Sequence, residues 1–142
     1  MAEAAVPTTA QTFQFELVSP EKILVSEQMK MVVVPGEAGD FGVLAQHAPL
    51  LSSIRPGVVT LFTPEGGTKR IFVAGGFADV NPTLCSVLAE EAVNVDDLDR
   101  GKLETELKTL EDDLGFNKAD PMKTITIQHQ IDITVAKIQA TA

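Results

Sequence analysis

The side chains best suited to chemistry in this chain are two histidines and one cysteine, and their spacing offers no catalytic set. His47 and His129 lie far apart in the sequence, without companions at ligand spacing. A solitary histidine is more often packed or hydrogen-bonded than it is a metal ligand or a general base. Cys85 lies in an apolar run and has no partner for an internal disulfide. The sequence therefore predicts no catalytic residue and no metal site.

Two glycine-containing segments match nucleotide-binding loops only in part. Gly36, Gly39 and Gly42 lead into an apolar strand-like run instead of a helix whose N-terminus would face a pyrophosphate. The segment 66–69 lacks the first glycine of a phosphate loop, and no helix is predicted after it. Runs of acids such as 111–113 are typical of a solvated face, because acid–base catalysis needs carboxyls with separated pKa values. We expect neither a cofactor nor an enzyme.

Composition excludes further classes of function. The chain has 142 residues, a 44% hydrophobic share and a formal net charge of -9. Nucleic-acid binding depends on Lys and Arg that neutralise phosphates, so this balance argues against it. No run approaches the roughly 18 to 20 apolar residues that span a bilayer, so direct membrane insertion is not expected. The first twelve residues have no basic start and no apolar block, and we interpret residues 1–12 as a flexible arm.

Short runs rich in β-branched residues predict a β domain over residues 13–95. Turn signals punctuate these runs, notably Pro64-Glu65-Gly66-Gly67 and Asn81-Pro82, which predict two hairpins. About ten short strands at this spacing indicate a β-sandwich or flattened barrel. The segment 35–57 is interpreted as a shaped surface loop of that domain. The predicted strands include 13–18, 29–34, 58–63, 69–74, 77–80 and 83–89.

After Val95 the pattern becomes helical, and residues 96–142 are predicted to form an antiparallel two-helix hairpin. Asp96 or Asp97 is expected to cap the first helix, with Asp99 adding favourable negative charge to its first turn. Gly115 is expected to end it. One face of this helix is apolar and needs a partner. Its leucines are Leu103, Leu107, Leu110 and Leu114.

The last segment fits two patterns. Residues 125–135 alternate apolar and polar side chains as a strand does, while Ile127, Ile131, Val135 and Ile138 form one stripe on helical spacing. Asp120-Pro121 is typical of a helix start. Length and the facing leucine helix favour a helix, although its many β-branched residues predict a weakly held one.

Five motifs are spread in order over residues 13–95. They are Gly39-Asp40-Phe41-Gly42-Val43-Leu44, His47-Ala48-Pro49-Leu50, Arg55-Pro56-Gly57, Gly75-Gly76 and Leu88-Ala89-Glu90-Glu91-Ala92. With these motifs the chain resembles the epsilon subunit of F-type ATP synthases, which is called delta in mitochondria. The resemblance implies a β-sandwich followed by a helical hairpin, in a non-catalytic rotor subunit of the central stalk.

The resemblance also implies partners and interface residues. The sandwich would pack on the gamma subunit and rest on the ring of c subunits, coupling proton-driven rotation to ATP synthesis. His47 would lie on the gamma-facing side. Asp40 would offer its charge to a basic loop of the ring. The implied ring contacts are Gly39, Asp40, Phe41 and Gly42.

For the hairpin, the resemblance implies regulation of ATP hydrolysis through contacts with the alpha and beta subunits of the catalytic head. Some members bind ATP through an I-D-x-x-R-A motif, which Ile131, Asp132 and Ala136 match while Val135 replaces the arginine. That change removes the side chain best suited to donate hydrogen bonds to a phosphate, so ATP binding and strong inhibition are not expected.

The expected location is peripheral, on the cytoplasmic face of a bacterial plasma membrane, in preference to the matrix side of a mitochondrial inner membrane. The alternative reading of the residues is a β-sandwich interaction module that self-associates through its helical tail. A third reading, a small ligand-binding sandwich enzyme, would need convergent polar residues, and the sequence shows none.

Overall fold

Eight strands and two helices make up the chain in a computed structural model that describes residues 11–142. The predicted arm at residues 1–12 therefore lies almost entirely outside the described residues. A short 3-10 turn, Val95–Asp97, separates the strands from the helices. The strands are β1 (Phe13–Val18), β2 (Ile23–Met29), β3 (Met31–Gly36), β4 (Gly39–Val43), β5 (Leu50–Ser53), β6 (Gly57–Phe62), β7 (Thr68–Val80) and β8 (Leu84–Asn94), and the helices are α1 (Arg100–Phe116) and α2 (Pro121–Ala140).

The strands form a folded sheet with the order β2-β1-β8-β7-β6-β3-β4, and β5 also pairs with β7. Neighbours are antiparallel except for β1 and β8, which run parallel. Because β7 and β8 are long, each contributes to both layers: the first half of β7 pairs with β6 and its second half with β5. This confirms the predicted β-sandwich, with eight strands in the described chain where about ten were expected. Both predicted hairpin turns are present, after β6 and after β7.

The corner between the layers lies at Gly75 and Gly76, where Gly75 has no partner in the β7–β8 register and the residues that face inward change. Before them Ile71 and Val73 enter the core, and after them Ala78 does. Both glycines have positive φ, at 73° and 108°, a region that other residues rarely adopt. A side chain at Gly76 would also place its Cβ 1.7 Å from the carbonyl oxygen of Leu88. The runs 69–74 and 77–80, predicted as separate strands, are therefore one bent strand.

The core lies between the two layers and is built mainly of Val, Leu and Phe. It includes alternate residues of β1, with Phe13, Phe15 and Leu17 pointing inward, as period-2 alternation requires. Met29 and Cys85 fill positions among them. The segment 35–57, interpreted as a loop, also contains β4 and β5, because its glycines permit a tight β3–β4 hairpin. Its structure is more regular than the glycine content indicated.

Helix α1 begins and ends at residues other than those predicted. Asp99, rather than Asp96 or Asp97, is the N-cap, and its carboxylate accepts a hydrogen bond from the Lys102 amide at 3.2 Å. The two earlier aspartates belong to the 3-10 turn. The helix also passes through Gly115 and ends at Phe116, with Asn117 as the C-cap. The low helix propensity of a single glycine does not end a helix when the residues after it still form helical hydrogen bonds.

The last segment is a helix, not a strand. Asp120 caps it, accepting hydrogen bonds from the amides of Met122 and Lys123, and Pro121 occupies its first turn as predicted. Thr126 and Thr134 donate their hydroxyl protons to carbonyls four residues earlier, which satisfies these polar groups within the helix. Residues of α1's leucine face are buried or half-buried, so α2 is the partner that the apolar face needs.

The hairpin lies folded on the outside of the layer formed by β6 and β7. Ile133 and Ala140 of α2 pack against Phe72 and Ala74, with Val95 in the same cluster. Two polar contacts add to it. Lys137 pairs with Glu91 and places its ammonium 5.8 Å from the centre of the Phe72 ring, and Arg70 donates to the Ala140 carbonyl at 3.3 Å.

Candidate functional site

The β3–β4 hairpin forms a narrow projection, here called the tip and defined as residues 36–42. Gly36 and Gly39 face each other across it, leaving Glu37 and Ala38 as the two turn residues. Gly39 has a φ of 140°, which favours glycine. A Cβ on Gly36 would lie 2.7 Å from the Gly39 carbonyl oxygen. Glycine is therefore needed at both ends of the turn, for conformation at one and for space at the other.

Asp40 and Arg55 form an ion pair beside this turn. Arg55 donates through Nη2 to Asp40 Oδ1 and through Nη1 to the Gly36 carbonyl at 2.6 Å. Both side chains remain partly exposed, at 43% for Arg55 and 59% for Asp40. The charge expected to be offered by Asp40 is thus already shared with an arginine of the same chain. Sequence reasoning missed this partner, since fifteen residues separate the two.

Backbone hydrogen bonds hold the tip and the preceding Pro35 against the end of β5 and the residues that follow it. The Glu37 amide donates to the Ser53 carbonyl at 2.9 Å, and the Arg55 amide donates to the Pro35 carbonyl at 3.0 Å. Of the four predicted ring contacts, Gly39, Asp40 and Gly42 are exposed. Phe41 is half-buried and packs against the core instead. The tip is therefore a firmly placed projection.

His47 lies in a different part of the sandwich. It precedes β5, whereas the tip bonds to the last residue of that strand. Its Nδ1 is 2.6 Å from the Ala48 carbonyl oxygen, which orients the half-buried ring. Gln46 holds a positive φ of 66° and its amide donates to the Pro82 carbonyl at 2.9 Å. The structure therefore does not join His47 to the tip, and fixes it beside the β7–β8 turn.

The three residues of the partial nucleotide motif do not converge on one site. Ile131 is buried, while Asp132 is exposed and accepts a hydrogen bond from Gln128 Nε2 at 3.0 Å. Ala136 packs against the apolar cluster between the hairpin and the sandwich. Only Asp132 lines the groove of about 610 Å³ between the helices, where its carboxylate would repel a phosphate.

The layer that the hairpin does not cover carries an apolar row on its outer face, which the sequence reasoning did not identify. It crosses β2, β1, β8 and β7 through paired residues, here called the outer strip: Ile23, Val18, Leu88 and Phe77. Ile23, Leu88 and Phe77 are 62%, 50% and 53% exposed. A groove of about 590 Å³ runs beside the last two. Strict alternation in β8 would have revealed Leu88, because Val87 and Ala89 point into the core.

The described residues carry no arrangement suited to catalysis by a metal. Over residues 11–142 no three His, Cys, Asp or Glu side chains lie close enough to hold an ion. Cys85 is fully buried, and burial together with the nearby Asp79 charge raises its thiol pKa to about 12. Such a thiol remains protonated at neutral pH and is a poor nucleophile. Neither described helix is long and apolar enough to cross a membrane.

Two solved structures that share this fold come from mitochondrial ATP synthases. In the Euglena gracilis complex of OSCP, F1 and c-ring, one chain superimposes with a TM-score of 0.83 at 21% identity, over 93% of this chain and 82% of that one. A chain of the central stalk and c-ring of Tetrahymena thermophila gives 0.60 at 11% identity, over 93% and 98%. These superpositions show the fold alone: a sandwich followed by a helical hairpin.

Sequence comparison goes further. The ATP synthase epsilon chain of Mesorhizobium japonicum is 46% identical over 125 residues, which cover 88% of this chain and 93% of that protein. The epsilon chain of Rhodospirillum centenum is 42% identical over 94% of this chain and 99% of its own length. The family model for the ATP synthase delta/epsilon chain β-sandwich domain matches residues 12–95. The chain therefore belongs to the ATP synthase delta/epsilon chain family.

Proposed function

We propose that this protein joins the gamma subunit of an F-type ATP synthase to its ring of c subunits. The chain is a non-catalytic rotor subunit of the central stalk, and its sandwich provides two separate contact surfaces. The observation that carries the proposal is the outer strip, an exposed apolar row on a layer that the hairpin leaves uncovered. The family membership supports the choice of partners.

The outer strip is the surface proposed for gamma. Exposed apolar side chains scattered singly need no explanation, but a row across four strands does. Cross-strand pairing places Leu88 beside both Val18 and Phe77, so the side chains form one continuous apolar band. A partner that covers Leu88 and Phe77 would desolvate the centre of the row, where interface energy concentrates. For His47 the family resemblance implies a gamma contact, and the preceding residue, Gln46, bonds to the β7–β8 turn.

The tip is the surface proposed for the c-ring. Its two turn residues project beyond the paired glycines, and its hydrogen bonds to the segment after β5 hold it in one position. A fixed and narrow projection loses little conformational entropy on contact. The contact residues proposed are Gly39, Asp40 and Gly42, with Phe41 supporting them from the core side.

For the hairpin we propose a folded resting position and weak inhibition of ATP hydrolysis. Its second helix has few basic residues, and one of them, Lys137, already pairs with Glu91 of the sandwich. Extension toward the catalytic head would break that pair. Helix α2 covers the leucine face of α1. The apolar surface that would drive self-association through this face is therefore already buried within the hairpin. ATP binding is not proposed, because the motif residues do not converge.

The proposed location follows from the complex. The protein would sit peripherally on the cytoplasmic side of a bacterial plasma membrane, bound through gamma and the ring without inserting into lipid. Residues 11–142 contain no membrane-spanning helix that would attach it otherwise.

Substituting the centre of the outer strip tests the proposal. Leu88→Glu should reduce co-purification with gamma by tenfold or more, because it would bury a carboxylate without a partner in the interface. A tenfold loss of affinity corresponds to about 1.4 kcal/mol. Ile125→Glu is the matched control, since Ile125 is 66% exposed on the hairpin. Equal recovery of gamma with both variants, each shown to be folded by thermal melting, would contradict the assignment of this surface.

A further inference from the structure

We propose that Glu37 supplies the charge with which the tip meets a cationic loop of the ring, while Asp40 and Arg55 position the tip. This inference rests on the proposed ring contact and assigns the chemistry within it. It assigns the electrostatic role to Glu37, a residue of the turn, instead of to Asp40, the residue that the motif indicated.

The first step is the charge balance of the tip. Asp40 and Arg55 form a neutral pair, and the same guanidinium also binds the Gly36 carbonyl. A neutral pair attracts a distant cation far less than a single carboxylate does, because the two fields largely cancel beyond a few ångströms. An approaching cationic group would also meet Arg55 beside Asp40. The pair is therefore better suited to fixing the hairpin than to recruiting a basic partner.

The second step is the position of Glu37. It is exposed, and across residues 11–142 its carboxylate has no ion-pair or hydrogen-bonding partner. Its backbone is nevertheless fixed, since its amide donates to Ser53 at 2.9 Å. The side chain thus projects from a fixed point with its full charge available to a partner. This combination gives electrostatic recognition without the cost of ordering a loop.

The third step is access. Ala38 and Gly39, the next residues of the turn, carry almost no side-chain bulk. A Cβ on Gly39 would meet nothing within 4 Å, so the space beside the turn is open. A partner loop can therefore reach the Glu37 carboxylate and pack on the turn backbone at the same time. The recognised chemistry is a lysine or arginine side chain on an exposed loop.

The experiment measures binding of ATP synthase F1 sector, assembled with full-length variants, to c-rings in lipid nanodiscs across a range of salt concentrations. Glu37→Gln should weaken binding about two- to fivefold at low salt and make it less dependent on salt. Glu37→Lys should weaken it further, because it places like charges together. Glu65→Gln is the matched control, since Glu65 is also an exposed glutamate in a hairpin turn, after β6. It should behave as the unmodified protein does.

The positioning role has a different signature. Asp40→Asn combined with Arg55→Met removes both members of the pair without changing the net charge of the tip, so this double variant should weaken binding while leaving its salt dependence as steep as before. The double variant Asp40→Arg with Arg55→Asp should recover affinity, since it restores the pair with its charges exchanged. A salt dependence that flattens in the first double variant and stays unchanged in Glu37→Gln would overturn the assignment.

A bulky substitution separates this inference from the proposed ring contact. Ala38→Trp should abolish binding if the tip touches the ring. Unchanged binding with Ala38→Trp would reject the ring contact itself. Lost binding with Ala38→Trp, together with unaltered affinity and salt dependence in both Glu37 variants, would reject only the role of Glu37.

Discussion

The sandwich and the helical hairpin are held together in very different ways. The sandwich has a core in which Phe15, Leu17 and Val73 are fully buried between two layers. The hairpin buries only a few residues, and its contact with the sandwich relies on Ile133, Ala140 and the Lys137–Glu91 pair. Small side chains and one ion pair provide far less free energy than a continuous core.

This difference separates a platform from an adjustable part. Both proposed contact surfaces, the outer strip and the tip, belong to the sandwich and are fixed by its strands. The hairpin packs over β6 and β7, on the layer opposite the outer strip, and its packing cluster includes no residue of the outer strip or of the tip. The partner contacts of the sandwich therefore do not require the hairpin to take any particular position, which is why we expect coupling and regulation to separate.

The largest contrast is expected from one glycine in each region. Gly76→Ala should destabilise the sandwich by at least about 3 kcal/mol, because its φ is strained for other residues and the new Cβ would collide with the Leu88 carbonyl. Gly115→Ala should instead stabilise the hairpin by up to about 1 kcal/mol, since nothing crowds that helical position. Urea unfolding measures both. Equal effects of the two substitutions would remove the contrast between the regions.

An intermediate effect is expected from the buried thiol of the sandwich. The pKa of Cys85 rises from its ordinary 9.0 to about 12, so the folded state holds the proton more tightly than the unfolded state. Stability is therefore fully present below pH 9 and falls as pH rises from about 9 to about 12, by up to about 1.4 kcal/mol per pH unit. The chain has no tyrosine, which removes another acid that would titrate in this range.

Unfolding midpoints in urea at pH 8, 9 and 10 test this effect. Cys85→Ala is the control, because it removes the titrating group whatever its packing costs. The unmodified protein should lose more stability than Cys85→Ala between pH 9 and 10. Parallel pH profiles for the two proteins would show that the thiol is not held protonated by the fold.

The smallest effect concerns the attachment of the hairpin. Lys137→Met keeps an apolar side chain over Phe72 but removes the charge that pairs with Glu91, and should weaken docking by about 0.5–1 kcal/mol. Hydrogen exchange should accelerate in α2 while β1 and β8 stay protected. Arg100→Met is the control, since the Arg100–Glu104 pair lies on the surface of α1. Faster exchange in the core strands would mean that the two regions unfold as one unit.

Much of the sandwich could be predicted because its signals are local. The alternation in β1 and the turn residues after β6 and β7 each mark an element within a few positions. The corner at Gly75 and Gly76 was not predicted, because two glycines inside a strand pattern equally indicate a loop. The N-cap of α1 was misplaced by two or three residues, since three nearby aspartates offer the same capping chemistry, whereas the Asp120-Pro121 start of α2 was predicted correctly.

The candidate surfaces depended on long-range contacts that a single sequence does not display. The tip was found from its glycines, but the Arg55 partner of Asp40 appears only when the segment after β5 returns beside the end of β3. The outer strip combines one residue from each of four strands, so no segment of the sequence contains the row. Lys137 and Glu91 likewise meet only when the hairpin folds back. Motifs therefore located the contact region, and the fold determined which side chains are available.

Removing residues 96–142 tests the central claim most directly, because the claim is that the sandwich alone couples gamma to the ring. ATP hydrolysis and ATP-driven proton pumping would be measured in the assembled complex with the full-length and the shortened chain. We predict that pumping persists and that hydrolysis changes little. Loss of pumping, or a rise in hydrolysis of about fivefold or more, would contradict the account by showing that the hairpin is coupled to the catalytic head.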